Sequence, residues 1–401
     1  YWAAAGGGTT LNTTSNNLYT SISGNSNGGT YNISLGKEAG DSLASGGNYN
    51  ISLGYQAGKN ISTGDNNIAI GKQTLYSCET GNYNTAIGMH CMWSSDVSGN
   101  ENTGYGYAAL RQCINGDYNT GIGPRAGWSI TTASYNTYLG YSAGYNITTG
   151  SNNIAIGSES FGGTCTGTHN IGIGSDTLDF ITSGAENIAI GRSAAQKITS
   201  GSKNLAIGKS VLEDATTSDS LVAIGYETGR YVTTNTESVF IGYQAGMGTG
   251  TVTGQAHTAV GYRALASITG ERYTNTAIGH KALEDCTQGK WNTAVGGSSL
   301  KNLTTGESNT AVGLSAGDAV STGDNNLLLG QSAGRTGSPS GQVTTGSNIV
   351  CLGDSFITDL YCNDTSISSS DSRDKTDITN FTHGLDWVNK LNPITYRWDR
   401  R

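Results

Sequence analysis

The chain is poor in the residues that fill or brace a thick globular core. Its 401 residues include only 3 Pro and 5 Phe, and charged residues make up 13% of the sequence. No stretch approaches the ~20 consecutive apolar residues of a membrane-spanning helix, so we expect no membrane insertion. Ile, Val and Leu nevertheless recur at regular places, which is not typical of a disordered chain. These features together predict a thin, elongated hydrophobic core.

Signals for a nucleic-acid, metal or cofactor partner are also lacking. The net charge is -8, and no cluster of Lys and Arg precedes the last few residues. Binding to nucleic acid requires a basic face, so we expect no nucleic-acid partner. The 5 His are scattered and no Cys-x-x-Cys pair occurs. We therefore predict neither a metal site nor a cofactor.

The 7 Cys follow a pattern that is structural rather than redox-active. Cys78, Cys113 and Cys286 each lie eleven residues after the start of a sequence repeat, at a place where other repeats carry Ile, Val or Leu. Free Cys behaves as a small buried hydrophobe in such positions. We therefore expect buried thiols rather than disulfides.

The sequence repeats the pentapeptide Asn67–Gly71 (Asn-Ile-Ala-Ile-Gly) with small variations. Similar copies begin at Asn84 and Asn187, and the Gly four residues after each start recurs in nineteen copies between Gly36 and Gly353. The step between copies is 17 residues over the middle of the array. We number the positions of a repeat from 1, the starting Asn, so that the recurrent Gly is position 5. A fixed period of this length indicates a stacked repeat architecture.

Each repeat predicts one coil of an all-β, elongated parallel β-roll or β-solenoid. Positions 1–5 have the period-2 alternation of a strand, a second extended piece should end at position 12, and turns rich in Gly and Asn lie between them. About nineteen 17-residue coils, stacked at ~4.8 Å, give a rod of roughly 90 Å. We expect the starting Asn to form a ladder of side-chain amides from coil to coil.

The alternation also suggests which side chains point inward. Position 4 is apolar in almost every copy, for example Leu53, Ile70 and Ile190, so we expect it to face the interior. The opposite face would then carry small residues such as Ala69 and Gly71, which allow another backbone to approach closely. This arrangement predicts a homotrimer with Ala and Gly at the subunit contact.

Composition divides the chain into four parts. These are a Gly- and Asn-rich lead-in at 1–31, the repeat array at 32–356, a connector at 357–369, and a more charged, Gly-poor segment at 370–401. In the last part we predict a short amphipathic helix at 382–391 and a strand at 394–398, which together make a short α+β segment. Because the chain starts at Tyr1 without Met, we expect it to be a piece of a longer polypeptide.

The residues that open the last part carry a family resemblance. Ser370–Lys375 (Ser-Asp-Ser-Arg-Asp-Lys), followed by Leu391–Trp398 (Leu-Asn-Pro-Ile-Thr-Tyr-Arg-Trp), is similar to the start of the intramolecular chaperone domain of phage tail fibres, tail spikes and endosialidases. In that family the domain drives trimerisation of the preceding β-structure and then cuts itself off. The resemblance implies that Ser370 is the nucleophile, that Lys375 is its base, and that cleavage falls between Ser370 and Asp371. A Lys that is desolvated on folding can lose its proton and activate a nearby hydroxyl. Only about thirty residues follow this bond, whereas domains of this family are longer, so we expect the domain to be truncated here.

The array itself resembles tail-fibre repeats and, more loosely, the β-roll heads of trimeric autotransporter adhesins. These resemblances imply a structural fibre or adhesion protein of a virus or phage, located in the virion or outside the cell. Its partners would be further copies of itself, in a homotrimer, and a host-surface glycan or receptor. The alternative is a cellular trimeric surface adhesin or an extracellular fibril protein.

An enzyme that acts on an external substrate fits the sequence less well. A polysaccharide lyase or endosialidase needs clustered carboxylates in a groove, and regular coils leave no place to build one. We therefore expect no activity on external substrates. Several Tyr follow the recurrent Gly and should project outward, where Tyr can stack on sugars; they are Tyr55, Tyr141, Tyr226, Tyr243 and Tyr262.

Overall fold

The computed structural model describes residues 20–21, 29–43, 46–94, 98–250, 252–269 and 274–359. Contacts divide the chain into a unit that ends at Phe356 and a second unit from Ile357 onward. The strands of the first unit are β1 (Thr20–Ser21), β2 (Ile33–Leu35), β3 (Ile51–Leu53), β4 (Ile68–Ile70), β5 (Thr85–Ile87), β6 (Thr103–Tyr105), β7 (Thr120–Ile122), β8 (Thr137–Leu139), β9 (Ile154–Ile156), β10 (Ile171–Ile173), β11 (Ile188–Ile190), β12 (Leu205–Ile207), β13 (Val222–Ile224), β14 (Val239–Ile241), β15 (Thr258–Val260), β16 (Thr276–Ile278), β17 (Thr293–Val295), β18 (Thr310–Val312), β19 (Leu327–Leu329) and β20 (Val350–Leu352). The helix predicted at 382–391 and the strand predicted at 394–398 lie outside the described residues.

Strands β2 to β20 form one parallel sheet, in which each strand pairs with the next strand along the chain. The register is fixed at one coil: Ile68 of β4 pairs with Thr85 of β5, and Ile70 pairs with Ile87. The short β1 pairs with β2 in the antiparallel direction. This pairing confirms an all-β parallel solenoid with coils of about 17 residues.

Each coil contains one strand rather than the two that the sequence suggested. The segment between positions 5 and 12 forms tight turns, in which residues other than Gly take positive φ, 52° at Gln73 and 49° at Leu75. Left-handed backbone at two nearly adjacent residues is incompatible with an extended strand. The prediction of a second extended piece is therefore wrong.

The strand also faces the opposite way from our expectation. Ala69, at position 3, is fully buried, whereas Ile68 and Ile70 on either side of it are only half-buried. Position 3 is likewise the buried residue of the other strands from β2 to β20. The prediction that Leu53, Ile70 and Ile190 face the interior is wrong. The prediction that Ala lies on the outer face, at a subunit contact, is wrong for the same reason.

The narrow cross-section explains this orientation. In the coil that begins at Asn67, the interior is occupied by Leu75 at position 9 and Cys78 at position 12, so position 3 has room only for a small side chain. Three coils carry a large residue at position 3, and each of them has Gly at position 9: Tyr138 with Gly144, Phe240 with Gly246, and Leu328 with Gly334. In these three coils, the volume of the residue at position 3 thus replaces that of a side chain at position 9 within a close-packed core.

The starting Asn forms the expected ladder. Asn67 Oδ1 accepts a hydrogen bond of 2.9 Å from the backbone N–H of Asn84 in the next coil. Its Nδ2 donates to the carbonyl of Gly81 at 2.8 Å. Where the sequence departs from Asn, Ser238 Oγ accepts from the N–H of His257 at 2.9 Å. His257 Nδ1 in turn accepts from the N–H of Asn275 at 3.3 Å, so these two residues replace the Asn oxygen.

Two features of the structure require Gly at position 5: its backbone conformation and its close contact with the next coil. Gly71 has φ of 131°, a value that side-chain-bearing residues rarely adopt. A Cβ placed on Gly71 would also lie 2.9 Å from the carbonyl carbon of Gly88, the equivalent residue one coil further on. The backbones of successive coils are therefore in contact at this corner, which explains why the sequence keeps Gly there.

Candidate functional site

The outer face of the strands carries a continuous row of apolar side chains. Positions 2 and 4 point outward from every strand of the parallel sheet, and most of them are Ile, Val, Leu or Thr. The most exposed large residues on this face are Ile33, Tyr105, Ile122, Leu139, Ile173, Ile188, Ile241, Ile278, Val312, Val350 and Leu352. We call this surface the outer strand face.

The size of the outer strand face is comparable with that of a protein interface. Eighteen steps of ~4.8 Å between nineteen strands give a length of about 86 Å, and a three-residue strand with its side chains is about 10 Å wide, so the area is about 860 Å². A stable interface buries ~800 Å² on each partner. Exposed apolar patches on monomeric proteins are typically ~300–600 Å², and larger ones mark interaction sites.

The Tyr residues that follow the recurrent Gly project outward, as expected. Tyr226, Tyr243, Tyr262 and His280 form a continuous column in which ring centroids are 5.2, 5.3 and 5.1 Å apart and the rings are nearly parallel. Each inner ring is covered on both faces by its neighbours. The column therefore links four coils, and its inner rings offer a sugar only their edges.

The thiols of Cys78, Cys113 and Cys286 lack the properties of reactive groups. Burial raises the pKa of Cys78, Cys113 and Cys286 to about 12, so these groups are protonated at neutral pH. All six Cys within the described ranges are free and buried, which confirms their place in the core. Over the same ranges, no group of three or more His, Cys, Asp or Glu is arranged to hold a metal ion.

The sequence-predicted catalytic pair cannot be placed in this geometry. Ser370 and Lys375 both lie outside the described residues, as does the bond between Ser370 and Asp371. Within the part of the chain that is described, no helix is long and apolar enough to cross a membrane.

The outer strand face is the feature that sequence reasoning missed. Its signal was the Gly at position 9 in every coil that carries a large residue at position 3, which marks position 3 as interior.

Comparison with known proteins identifies the C-terminal part of the chain. Residues 370–400 match the family described as chaperone of endosialidase. The match covers the residues that carried the resemblance in the sequence, and together with the β-solenoid it fits a chaperone region of the tail-fibre and endosialidase type. No curated protein matches the chain.

Proposed function

We propose that this chain is the shaft of a viral or phage tail fibre that assembles as a homotrimer with the help of its C-terminal chaperone region. The observation that carries this proposal is an apolar outer strand face that runs along nineteen consecutive strands. Residues 370–400, which match the chaperone of endosialidase, follow this array in the chain. The fibre would lie outside the host cell as part of the virion and contact the host surface.

A threefold assembly fits the dimensions of the outer strand face. The face is one strand wide, about 10 Å, and continues along the whole stack of coils. Three such stripes directed at a common axis would cover one another along their full length. The resemblance of the C-terminal residues to a family whose domains trimerise favours the same number of copies.

Sedimentation of the full chain tests the assembly. We expect the unaltered protein to sediment as a trimer, and a variant with Ile173→Glu and Ile190→Glu to sediment as smaller species, because two carboxylates would be buried without partners. Phe180→Glu is the matched control, since Phe180 is also an exposed apolar residue (53% exposed) but lies outside the strands. A monomeric unaltered chain, or an Ile173→Glu, Ile190→Glu variant that still forms trimers, would contradict the proposal.

The chaperone region is proposed to release itself by autoproteolysis. The Ser370 hydroxyl oxygen would attack the carbonyl carbon of the bond between Ser370 and Asp371, while the neutral amine of Lys375 accepts the hydroxyl proton. The lysine would then pass this proton to the departing amino group of Asp371, and water would hydrolyse the acyl ester that remains. We expect two fragments from the unaltered protein and a single chain from Ser370→Ala. Ser369→Ala serves as the control and should still be cleaved. If Ser370→Ala and Ser369→Ala gave the same fragments, the assignment of Ser370 would be wrong.

A further inference from the structure

A column of aromatic and cationic side chains runs along one side of five coils. The column occupies position 10 and consists of Tyr76, Trp93, Arg111, Trp128 and Tyr145. The Arg111 guanidinium lies over the Trp93 ring at 4.8 Å and over the Trp128 ring at 4.5 Å from the ring centroids. The Trp128 ring in turn stacks on Tyr145 at 5.7 Å. Arg111 is therefore held between two indole rings.

A second cation lies beside this column. The guanidinium of Arg125 is 5.6 Å from the centroid of the Trp128 ring. On the same side, His90 lies 6.0 Å from Trp93 and 6.3 Å from Tyr107, both between ring centroids. We call the surface formed by the position-10 column together with Arg125, His90 and Tyr107 the cation–aromatic patch.

The arginines of this patch differ in their partners from the arginines at position 10 of other coils. Arg230 forms an ion pair with Glu213 one coil away at 3.0 Å, and Arg335 does the same with Asp318 at 3.1 Å. Among the described residues, neither Arg111 nor Arg125 has a carboxylate within ion-pair distance. Among the described residues, Arg111 thus differs from the Arg residues at position 10 of other coils, because it is not paired with a carboxylate.

Two further observations describe the polar groups of the patch. Arg111 Nε and Trp93 Nε1 are buried donors without an acceptor in the described part of the chain. Burial, followed by the positive charges of Arg111 and Lys72, lowers the pKa of His90. Positive charges are thus concentrated here on a protein whose net charge is -8.

We propose that the cation–aromatic patch binds an acidic polysaccharide through carboxylate or sulfate groups that Arg111 and Arg125 hold. This inference rests on the proposed function, because a fibre that contacts a host surface meets such polymers there. It names the chemical class of the ligand and the coils that bind it.

The chemistry of the patch favours this class of ligand. A guanidinium presents its N–H groups in one plane and binds carboxylate or sulfate oxygens in pairs, and its stacking between indoles fixes that plane in advance. The ring faces of Trp93 and Trp128 that turn toward Arg111 are covered by it, so a nucleic-acid base cannot stack there as single-strand binders require. The phenol of Tyr107 and the amide of Gln112, both exposed, offer hydrogen bonds to a chain rich in hydroxyl groups.

Binding of the full chain to immobilised polymers tests the proposal. The probes are polygalacturonate for carboxylates, heparin for sulfates, neutral dextran, and a single-stranded oligonucleotide. We expect binding to one or both acidic polysaccharides and none to dextran. Hydrogen bonds to charged groups of this kind are worth about tenfold in affinity for each arginine. Arg125→Gln should therefore weaken binding about tenfold, and Arg111→Gln with Arg125→Gln about a hundredfold.

A matched control distinguishes binding at this patch from a general effect of positive charge. Arg230 lies at position 10, as Arg111 does, but is paired with Glu213. Arg230→Gln should therefore leave binding unchanged. Arg111→Lys keeps the charge but loses the planar donors, and it should also weaken binding. The proposal would be overturned if Arg125→Gln and Arg230→Gln bound the acidic polymers equally well. It would also be overturned if the unaltered chain bound dextran as well as it binds the acidic polymers, or bound the oligonucleotide more strongly. Absence of binding to both acidic polymers would overturn it as well.

Sedimentation of the same samples distinguishes this inference from the proposed function. Trimers that fail to bind either acidic polymer would contradict the patch assignment and leave the shaft assignment standing. A monomeric chain that binds polygalacturonate or heparin through Arg111 and Arg125 would contradict the assembly and leave the patch standing.

Discussion

The exchange of volume between positions 3 and 9 predicts a strong coupling between Tyr138 and Gly144. Gly144 has φ of 65°, and a Cβ built on it would overlap the ring of Tyr138. Gly144→Leu alone should cost about 1–2 kcal/mol for left-handed backbone and ~1–3 kcal/mol for overpacking. Tyr138→Ala alone should cost about 3–5 kcal/mol, because it leaves a cavity in a close-packed interior.

The double variant, Tyr138→Ala with Gly144→Leu, should be far less damaging than the sum of its parts. It gives this coil the arrangement found at Ala69 and Leu75, where Leu75 already has φ of 49°. The single costs add to roughly 5–10 kcal/mol, whereas the double variant keeps the backbone strain and a small packing mismatch, about 2–3 kcal/mol. The coupling between the two sites should therefore be at least ~3 kcal/mol in the favourable direction.

Native-state hydrogen exchange is the appropriate measurement, because a repeat array need not unfold in a single step. The amide of Gly144 donates to the carbonyl of Ser160 at 2.8 Å, so its exchange reports opening between these coils. Each 1.4 kcal/mol of lost local stability speeds exchange about tenfold. Peptides around Ala277 and Leu283, in a distant coil that also combines Ala at position 3 with Leu at position 9, provide the internal control. If the double variant exchanged as fast as additive costs require, the exchange of volume between positions 3 and 9 would be refuted.

Three further substitutions test individual interactions. Tyr138→Phe should stabilise its coil by about 1 kcal/mol in the same exchange experiment, because the Tyr138 hydroxyl is buried without a partner in the described structure. Burial lowers the pKa of His257 from 6.5 to about 4, so the unfolded chain takes up a proton first as the pH falls. Stability should therefore drop by roughly 3 kcal/mol between pH 6.5 and 4, and His257→Asn should remove that part of the pH dependence in native-state hydrogen exchange corrected for intrinsic rates. Gly71→Ala should destabilise its coil by more than ~2 kcal/mol, measured by exchange at Gly88, because strain and contact with the next coil add.

The period of the sequence was sufficient to predict the stacking of coils. Gly at position 5 and Asn at position 1 repeat because each contacts the same residue one coil away, as Gly71 contacts Gly88 and Asn67 contacts Asn84. Contacts of this kind leave a direct trace in the sequence, since every coil must satisfy the same requirement. The buried place of Cys78 could be read in the same way, because Ile and Val replace it in other coils.

The orientation of the strand could not be read from its alternation alone. Alternation separates two faces of a strand but does not say which of them is buried, and a choice by size placed Ile70 inside. In a coil this narrow, Leu75 and Cys78 leave space for Ala69 only, so the larger residues lie outside. The second extended piece failed for a related reason, since residues such as Gln73 and Leu75 adopt left-handed backbone that their side chains do not predict.

The misassigned face bears directly on the proposed assembly. A chain that folds alone gains nothing from apolar residues such as Ile173 and Ile190 on its surface, and a regular apolar stripe on a strand invites disordered association. The stripe is therefore best explained as part of a core that only several copies together complete. Premature pairing out of register would be the main hazard, because one coil is so similar to the next that many registers bury almost the same area. A chaperone region at the end of the array, by aligning the chains at one terminus, would select a single register among them.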